Sequence, residues 1–127
     1  MAKLASDYLL ILLASLGLLG SQLLLKEGTR QTGAISLASV DDFLGLVRQI
    51  VTTPILVAGY VLSGITAVFW LVVISRLDLS LAVPLLSATY YVLLLLASSI
   101  VLGESVSLWR WAGTLVIVVG IVLISQR

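Results

Sequence analysis

Few residues of this chain are equipped to do chemistry, and the most suggestive group ends its first apolar run. In "GSQLLLKEGTR", residues 20 to 30, Gln22 and Lys26 are followed by Arg30. On a helix, Gln22 and Lys26 share a face, and a rise of ~1.5 Å per residue puts Gln22 about 6 Å deeper, a separation comparable to one sugar ring. An ammonium at the rim can hold a phosphate by a charge-assisted contact, while an amide further in meets a neutral polar group. Ser87 and Tyr91, on one face of a later apolar run, and Trp70 on another are the candidates to complete such a wall. A simpler role fits the same cations: Lys26 and Arg30 can snorkel to lipid phosphates at a helix end.

Other chemistries are closed by what is missing. The chain has no Cys and no His, which excludes disulfides, thiolate nucleophiles, imidazole bases and imidazole metal ligands. Its acids are Asp7, Glu27, Asp41, Asp42, Asp78 and Glu104, each at or beyond the end of an apolar run, so none stands at mid-membrane depth. No catalytic residue, metal site or cofactor is expected, nor any nucleic-acid partner; the protein is not read as an enzyme. Glu104 is assigned to bonding loop amides or the start of the final helix, where negative charge is favourable.

These groups must be positioned by membrane helices. The chain has 127 residues, 61% of them hydrophobic and 10% charged, with a mean hydropathy of +1.24, too apolar for a wetted globular surface. A hydrocarbon core of roughly 30 Å takes about 20 residues per helix. Four such runs lie near residues 6-25, 54-75, 81-102 and 107-125, giving an all-α membrane protein of one four-helix domain, 1-127. The first run is too long for the apolar stretch of a signal peptide and is read as a retained helix. Between the first two runs, residues 39-51 place Val40, Phe43, Leu44, Val47, Ile50 and Val51 at helical spacing opposite Asp41, Asp42, Arg48 and Gln49, with Ser39 and Asp42 in an N-cap arrangement. This predicts a short helix lying in the membrane interface; a loop with incidental apolar residues is the alternative. The other connections are tight, so consecutive helices are expected to be antiparallel neighbours. Cations divide almost evenly between the two sides, Lys3, Arg76 and Arg127 against Lys26, Arg30, Arg48 and Arg110, and leave the orientation open.

Each of three runs also carries a polar stripe. Ser15, Gln22 and Lys26 align on the first, beside a small-residue strip of Ala14, Gly17 and Ser21; Gly59, Ser63, Thr66 and Trp70 align on the second; Ser80, Pro84, Ser87, Tyr91 and Ser98 on the third. Polar groups in hydrocarbon need partners, either one another, a hydrated cavity, or carbonyls of their own helix. Pro84 marks either a helix start or a bend beside a pocket. On the last run, Gly113 and Gly120, seven apart, open gaps on nearly one face and predict a dimer, with a second copy or with a homologous subunit.

Four helices of this size, the "LGE" of Leu102-Gly103-Glu104, and the two glycines in "AGTLVIVVGIVLI" resemble the drug/metabolite transporter superfamily, which includes the small multidrug resistance proteins. Within it, "SQLLLK", Trp70 in "VFWLVVISRLDLSLAV" and "PLLSATYYVL" with Ser87 and Tyr90 are most similar to the Arn-type undecaprenyl-phosphate-aminoarabinose flippase subunits. That resemblance implies a subunit that translocates a polyprenyl-phosphate-linked sugar across the bacterial inner membrane, and it adds Tyr90 to Gln22, Lys26, Arg30, Trp70, Ser87 and Tyr91 as substrate-binding candidates. The multidrug branch carries a Glu in the middle of its first helix. Here the matching segment is "LLASLGLLGSQ", with no acid, so a proton-coupled exporter of organic cations lacks its ionisable centre and is the secondary reading. An accessory subunit of a glycosyltransferase, without transport of its own, is the third.

Overall fold

The computed structural model describes residues 2–33 and 39–126; Arg127, counted above among the cations, lies outside them. All regular structure among the described residues is helical: α1 (Ala2–Thr32), α2 (Val40–Thr52), α3 (Pro54–Ile74), α4 (Leu79–Ile100) and α5 (Leu108–Ser125). The four longer helices, α1, α3, α4 and α5, are long and apolar enough to cross a membrane.

The first helix does not end near residue 25 but continues to Thr32. Hydropathy marks where a helix leaves lipid, whereas hydrogen bonding decides where it stops. Lys26, Glu27, Arg30 and Gln31 are good helix formers, and Glu27 pairs with Arg30 one turn on at 3.7 Å. Termination falls to Gly33, whose φ of 87° is accessible to glycine and whose N–H donates to the carbonyl of Thr29 at 3.0 Å. Lys26 therefore projects from a continuous rigid helix rather than from a loop.

The short helix α2 starts at the expected capping box. Asp42 N–H donates to Ser39 Oγ at 3.2 Å, and Ser39 N–H donates to Asp42 Oδ2 at 3.0 Å. None of its residues is buried, and Gln49 Nε2 ties it to α1 through the carbonyl of Thr32 at 3.1 Å. Thr53 then ends α2 and leads into α3, with Pro54 at the first helical position, where a missing N–H costs nothing. Pro84 lies inside α4, which begins at Leu79; the helix does not start at the proline.

Packing bears out the expectation that consecutive membrane helices are neighbours at α1–α3 and α4–α5, and corrects it at α3–α4. Helix α1 packs most extensively on α3 and next on α4, while α3 and α4 touch each other only sparsely. The sequence reason is the small-residue strip on α1. A Cβ on Gly17 would run into the Thr66 side chain, and one on Gly28 would stand 2.7 Å from Leu56 Cγ. From the other side, a Cβ on Gly59 of α3 would lie 2.9 Å from Leu25 Cγ and 3.3 Å from the Leu25 backbone nitrogen. Bare glycine at these points lets the two backbones approach closely, which draws α1 into the centre between α3 and α4.

Four hydroxyls of the long helices bond within their own helices rather than across them. Ser15, Ser21, Thr66 and Thr89 each donate to a carbonyl three or four residues back, at 2.8–2.9 Å. Helix α5 packs on α4 and buries only Ile121.

Candidate functional site

Where α1 and α4 meet at the Lys26 end, the turn after α4 brings in a third wall. Gly103 takes a φ of 63°, and the N–H of Glu104 donates to the carbonyl of Ser98 at 2.9 Å, so the chain folds back over the helix end. This carries the Glu104 carboxylate toward α1, where Oε1 stands 3.7 Å from Lys26 Nζ. The assignment of Glu104 to loop amides or to the start of the last helix gives way to this pairing. The first residue of α5 instead follows Ser107, which makes no side-chain cap.

Beneath the pair is a cavity of about 260 Å³, lined by Gln22, Leu23, Lys26, Tyr90, Leu94, Ser98, Leu102 and Glu104. Its chemistry is one cation, one carboxylate, one amide, one phenol and one hydroxyl set among leucines. Helix α1 supplies Gln22 and Lys26 one turn apart, and α4 supplies Tyr90 and Ser98 two turns apart. A neighbouring cavity of about 490 Å³ opens on the α5 side, and its lining includes Tyr91, Arg110, Gly113 and Thr114. Leu94, Ser98 and Glu104 line both, so Glu104 stands in the partition between a lysine-lined and an arginine-lined space.

The ion pair is loose. Both side chains remain partly open, 52% for Lys26 and 37% for Glu104, and 3.7 Å exceeds the ~2.7–2.9 Å of a tight charge-assisted hydrogen bond. Exposed pairs of this kind contribute roughly 0.2–1 kcal/mol. A ligand with a stronger anionic group can therefore displace the carboxylate from the lysine at little cost.

The other sequence candidates are distributed differently. Gln22, Lys26 and Tyr90 share the cavity. Tyr91 turns to the neighbouring one, its ring centroid 5.8 Å from that of Tyr90. Trp70 is further along the bundle, lining a separate apolar space of about 210 Å³ with Ala14, Leu18, Ser63, Thr66, Ala67 and Leu86. Ser87 is half-buried and lines none of these three spaces. Arg30 is turned to Glu27 on the extension of α1. Sequence reasoning placed Ser98 on the polar stripe of its helix but not in the site, and placed Glu104 outside it; the turn at Gly103 unites them, and "LGE" was the available signal.

A second charged pair marks the opposite end of α1. Asp7 is 8% exposed, and its Oδ1 lies 3.5 Å from Arg76 Nη1 in the α3–α4 connection. The atom has no hydrogen-bond partner, so the guanidinium is its compensation. Nineteen residues separate Asp7 from Lys26, roughly 28 Å along a helix, close to the thickness of a hydrocarbon core. The charged groups thus sit at the two ends of the span.

Comparison with known proteins accords with this arrangement. The chain is 36% identical over 118 residues to a protein of Serratia proteamaculans named as a probable 4-amino-4-deoxy-L-arabinose-phosphoundecaprenol flippase subunit ArnE, covering 93% of this chain and 94% of that one. A protein of the same name from Pectobacterium atrosepticum is 41% identical over 76 residues, 60% of this chain and 66% of its own. An uncharacterized protein, y4nH, of Sinorhizobium fredii is 30% identical over 122 residues, 96% of this chain and 97% of its own. No family model and no solved structure matches the chain. With four helices able to cross a membrane and nearly full-length likeness to a flippase subunit, the chain belongs to the ArnE-type family of membrane flippase subunits.

Proposed function

We propose that this chain is a subunit of a flippase that moves a polyprenyl-phosphate-linked sugar across the bacterial inner membrane, with Gln22, Lys26 and Tyr90 at the headgroup. The observation that carries this reading is the cavity beside Lys26, where a cation at the rim and an amide, a phenol and a hydroxyl below it face one space between α1 and α4. Its about 260 Å³ suits a single sugar ring, while the flanking leucines and the surrounding lipid suit a polyprenyl tail. The phosphate would be held by Lys26, which neutralises it before it leaves water, and sugar hydroxyls by Gln22, Tyr90 and Ser98. The barrier lowered in this way is that of carrying a polar headgroup through hydrocarbon; no bond is made or broken.

Two further parts belong to this reading. Helix α2 lies in the membrane interface, as its exposed Val40, Phe43, Leu44, Val47 and Val51 against Asp41 and Arg48 suit. Helix α5 joins the chain to a second copy or to a homologous subunit: a Cβ at Gly113 or Gly120 would meet no atom of the described residues beyond its own helix within 4 Å, so both positions are open to a neighbouring helix. Gly113 lines the larger cavity, and a partner there would enclose that space.

The test is binding by the purified protein in nanodiscs of a polyprenyl phosphosugar and of a neutral lipid with the same tail. Lys26→Ala should weaken the first by roughly tenfold, the loss of one partly exposed charge-assisted contact, and leave the second unchanged, while Arg30→Ala should change neither. Equal losses for both lipids with Lys26→Ala would reduce Lys26 to a snorkelling residue and end the phosphate assignment.

A further inference from the structure

Two cavities at the Lys26 end of the molecule share a wall, and among the described residues three charged side chains line them: Lys26 the smaller, Arg110 the larger, and Glu104 both. Two cations and one carboxylate leave one positive charge uncompensated, and the ion pairs show where it lies. Glu104 is engaged with Lys26 at 3.7 Å, while the other pairs among the described residues join Glu27 to Arg30 and Asp7 to Arg76. Arg110 is exposed and belongs to none of them. It is the third residue of α5, at the same end of the bundle as the turn at Gly103, and it faces a space of about 490 Å³ that Tyr91, Ser98 and Thr114 also line. The donors of the Lys26 cavity are thus repeated beside it. Tyr90 lines one space and Tyr91 the other, with ring centroids 5.8 Å apart, and Ser98 lines both. Each cavity offers a headgroup a cation, a phenol and a hydroxyl.

Glu104 makes the two positions alternatives. Its backbone is held by the hydrogen bond to the Ser98 carbonyl, while its side chain stands in the partition and can turn toward either space. Paired with Lys26, it leaves Arg110 as the cation that an arriving phosphate meets first. When the phosphate moves on to Lys26, the displaced carboxylate finds Arg110 vacated. One phosphodiester neutralises the three groups in either arrangement, so the transfer leaves no charge unmatched beside Leu94. We propose that Arg110 forms a second phosphate-binding position for the lipid-linked headgroup, and that Glu104 couples it to Lys26 by pairing with whichever cation the phosphate has left. The proposal rests on the Lys26 site described under the proposed function and adds the position that precedes it. An arginine that merely snorkels to lipid phosphates would act independently of Glu104.

The test uses the full chain in phosphatidylcholine nanodiscs, a farnesyl phosphoglucose with a diazirine on the sugar, and a farnesyl glucoside without phosphate as control. In the unaltered protein the phosphodiester should label both α1 and α5; this arm needs no variant. Arg110→Gln should weaken its binding roughly three- to tenfold, the range of one partly exposed charged contact, and leave the control unchanged. Adding Glu104→Gln should restore that binding, because one cation then remains with no carboxylate to hold it, and labelling should concentrate on α1. The mirror variant, Lys26→Ala with Glu104→Gln, should also recover binding relative to Lys26→Ala alone, with labelling on α5. Labelling of the unaltered protein confined to α1, unchanged binding in Arg110→Gln, or a loss that Glu104→Gln does not repair overturns the Arg110 position while leaving the Lys26 site intact. Disappearance of the α5 label when phosphatidylglycerol is included in the nanodisc would assign the larger cavity to bulk lipid phosphates and also overturn it. Binding of the phosphodiester by the unaltered protein no tighter than of the glucoside overturns the headgroup site itself and this proposal with it.

Discussion

Substituting alanine at two glycines of the same helix tests the packing that positions the site, because it should have opposite consequences. Gly59 and Gly64 both lie inside α3, so both variants relieve the same intrinsic cost of glycine in a helix, about 1 kcal/mol. They differ in what the new methyl meets. At Gly59 it would stand 2.9 Å from both Cγ and Cδ2 of Leu25 and 3.3 Å from the Leu25 backbone nitrogen, against a preferred carbon–carbon separation of roughly 3.5–4.0 Å. The leucine tip can rotate away, but the backbone nitrogen can move only if α1 moves. Overpacking of this kind costs about 1–3 kcal/mol. At Gly64 nothing lies within 4 Å, and only the helix gain remains. Gly64→Ala should therefore be more stable than Gly59→Ala by about 1–3 kcal/mol, the propensity contribution cancelling in the comparison. Reversible unfolding in mixed micelles, followed by tryptophan fluorescence, measures this difference directly. Leu25 precedes Lys26, so Gly59→Ala should also weaken phosphosugar binding, whereas Gly64→Ala should not. Equal stabilities would mean that α1 and α3 do not approach as closely as the structure has them, and the account of why α1 is central would fail.

Two other perturbations follow from particular contacts. Arg76→Ala strips the buried Asp7 carboxylate of its compensating charge; it should lower stability by about 2 kcal/mol, less than the ~3–5 of a fully buried pair because Arg76 is itself half exposed, and adding Asp7→Asn should recover most of that loss in the same unfolding assay. Replacing Gly113 and Gly120 together by leucine should release monomers in a crosslinking experiment without lowering monomer stability, since a Cβ at either position meets no atom of the described residues beyond its own helix within 4 Å; an undiminished dimer would place the contact on another helix.

Several features could be read from the residues alone because local physics decides them. Apolar runs of membrane length set the four long helices, and a Ser39–Asp42 capping box next to an amphipathic pattern set α2. The spacing of Gln22 and Lys26 put them on one helix face, since 3.6 residues per turn holds wherever the helix goes. The length of α1 was less legible, because hydropathy falls at Lys26 while helical hydrogen bonding continues to Thr32.

What the tertiary structure alone decided is which faces meet. Sequence order suggested that α3 and α4 pair; instead α1 lies between them, because Gly17, Gly28 and Gly59 permit an approach that chain order does not reveal. Ser87 and Trp70 carry the family likeness, yet neither lines the cavity beside Lys26, whereas Ser98 and Glu104 do. Glu104 is 78 residues from Lys26 in sequence, and nothing in spacing or hydropathy links them. A left-handed glycine turning the chain over the end of α4 brings the carboxylate to the cation, and long-range electrostatic pairs of this kind exist only once the backbone has been placed.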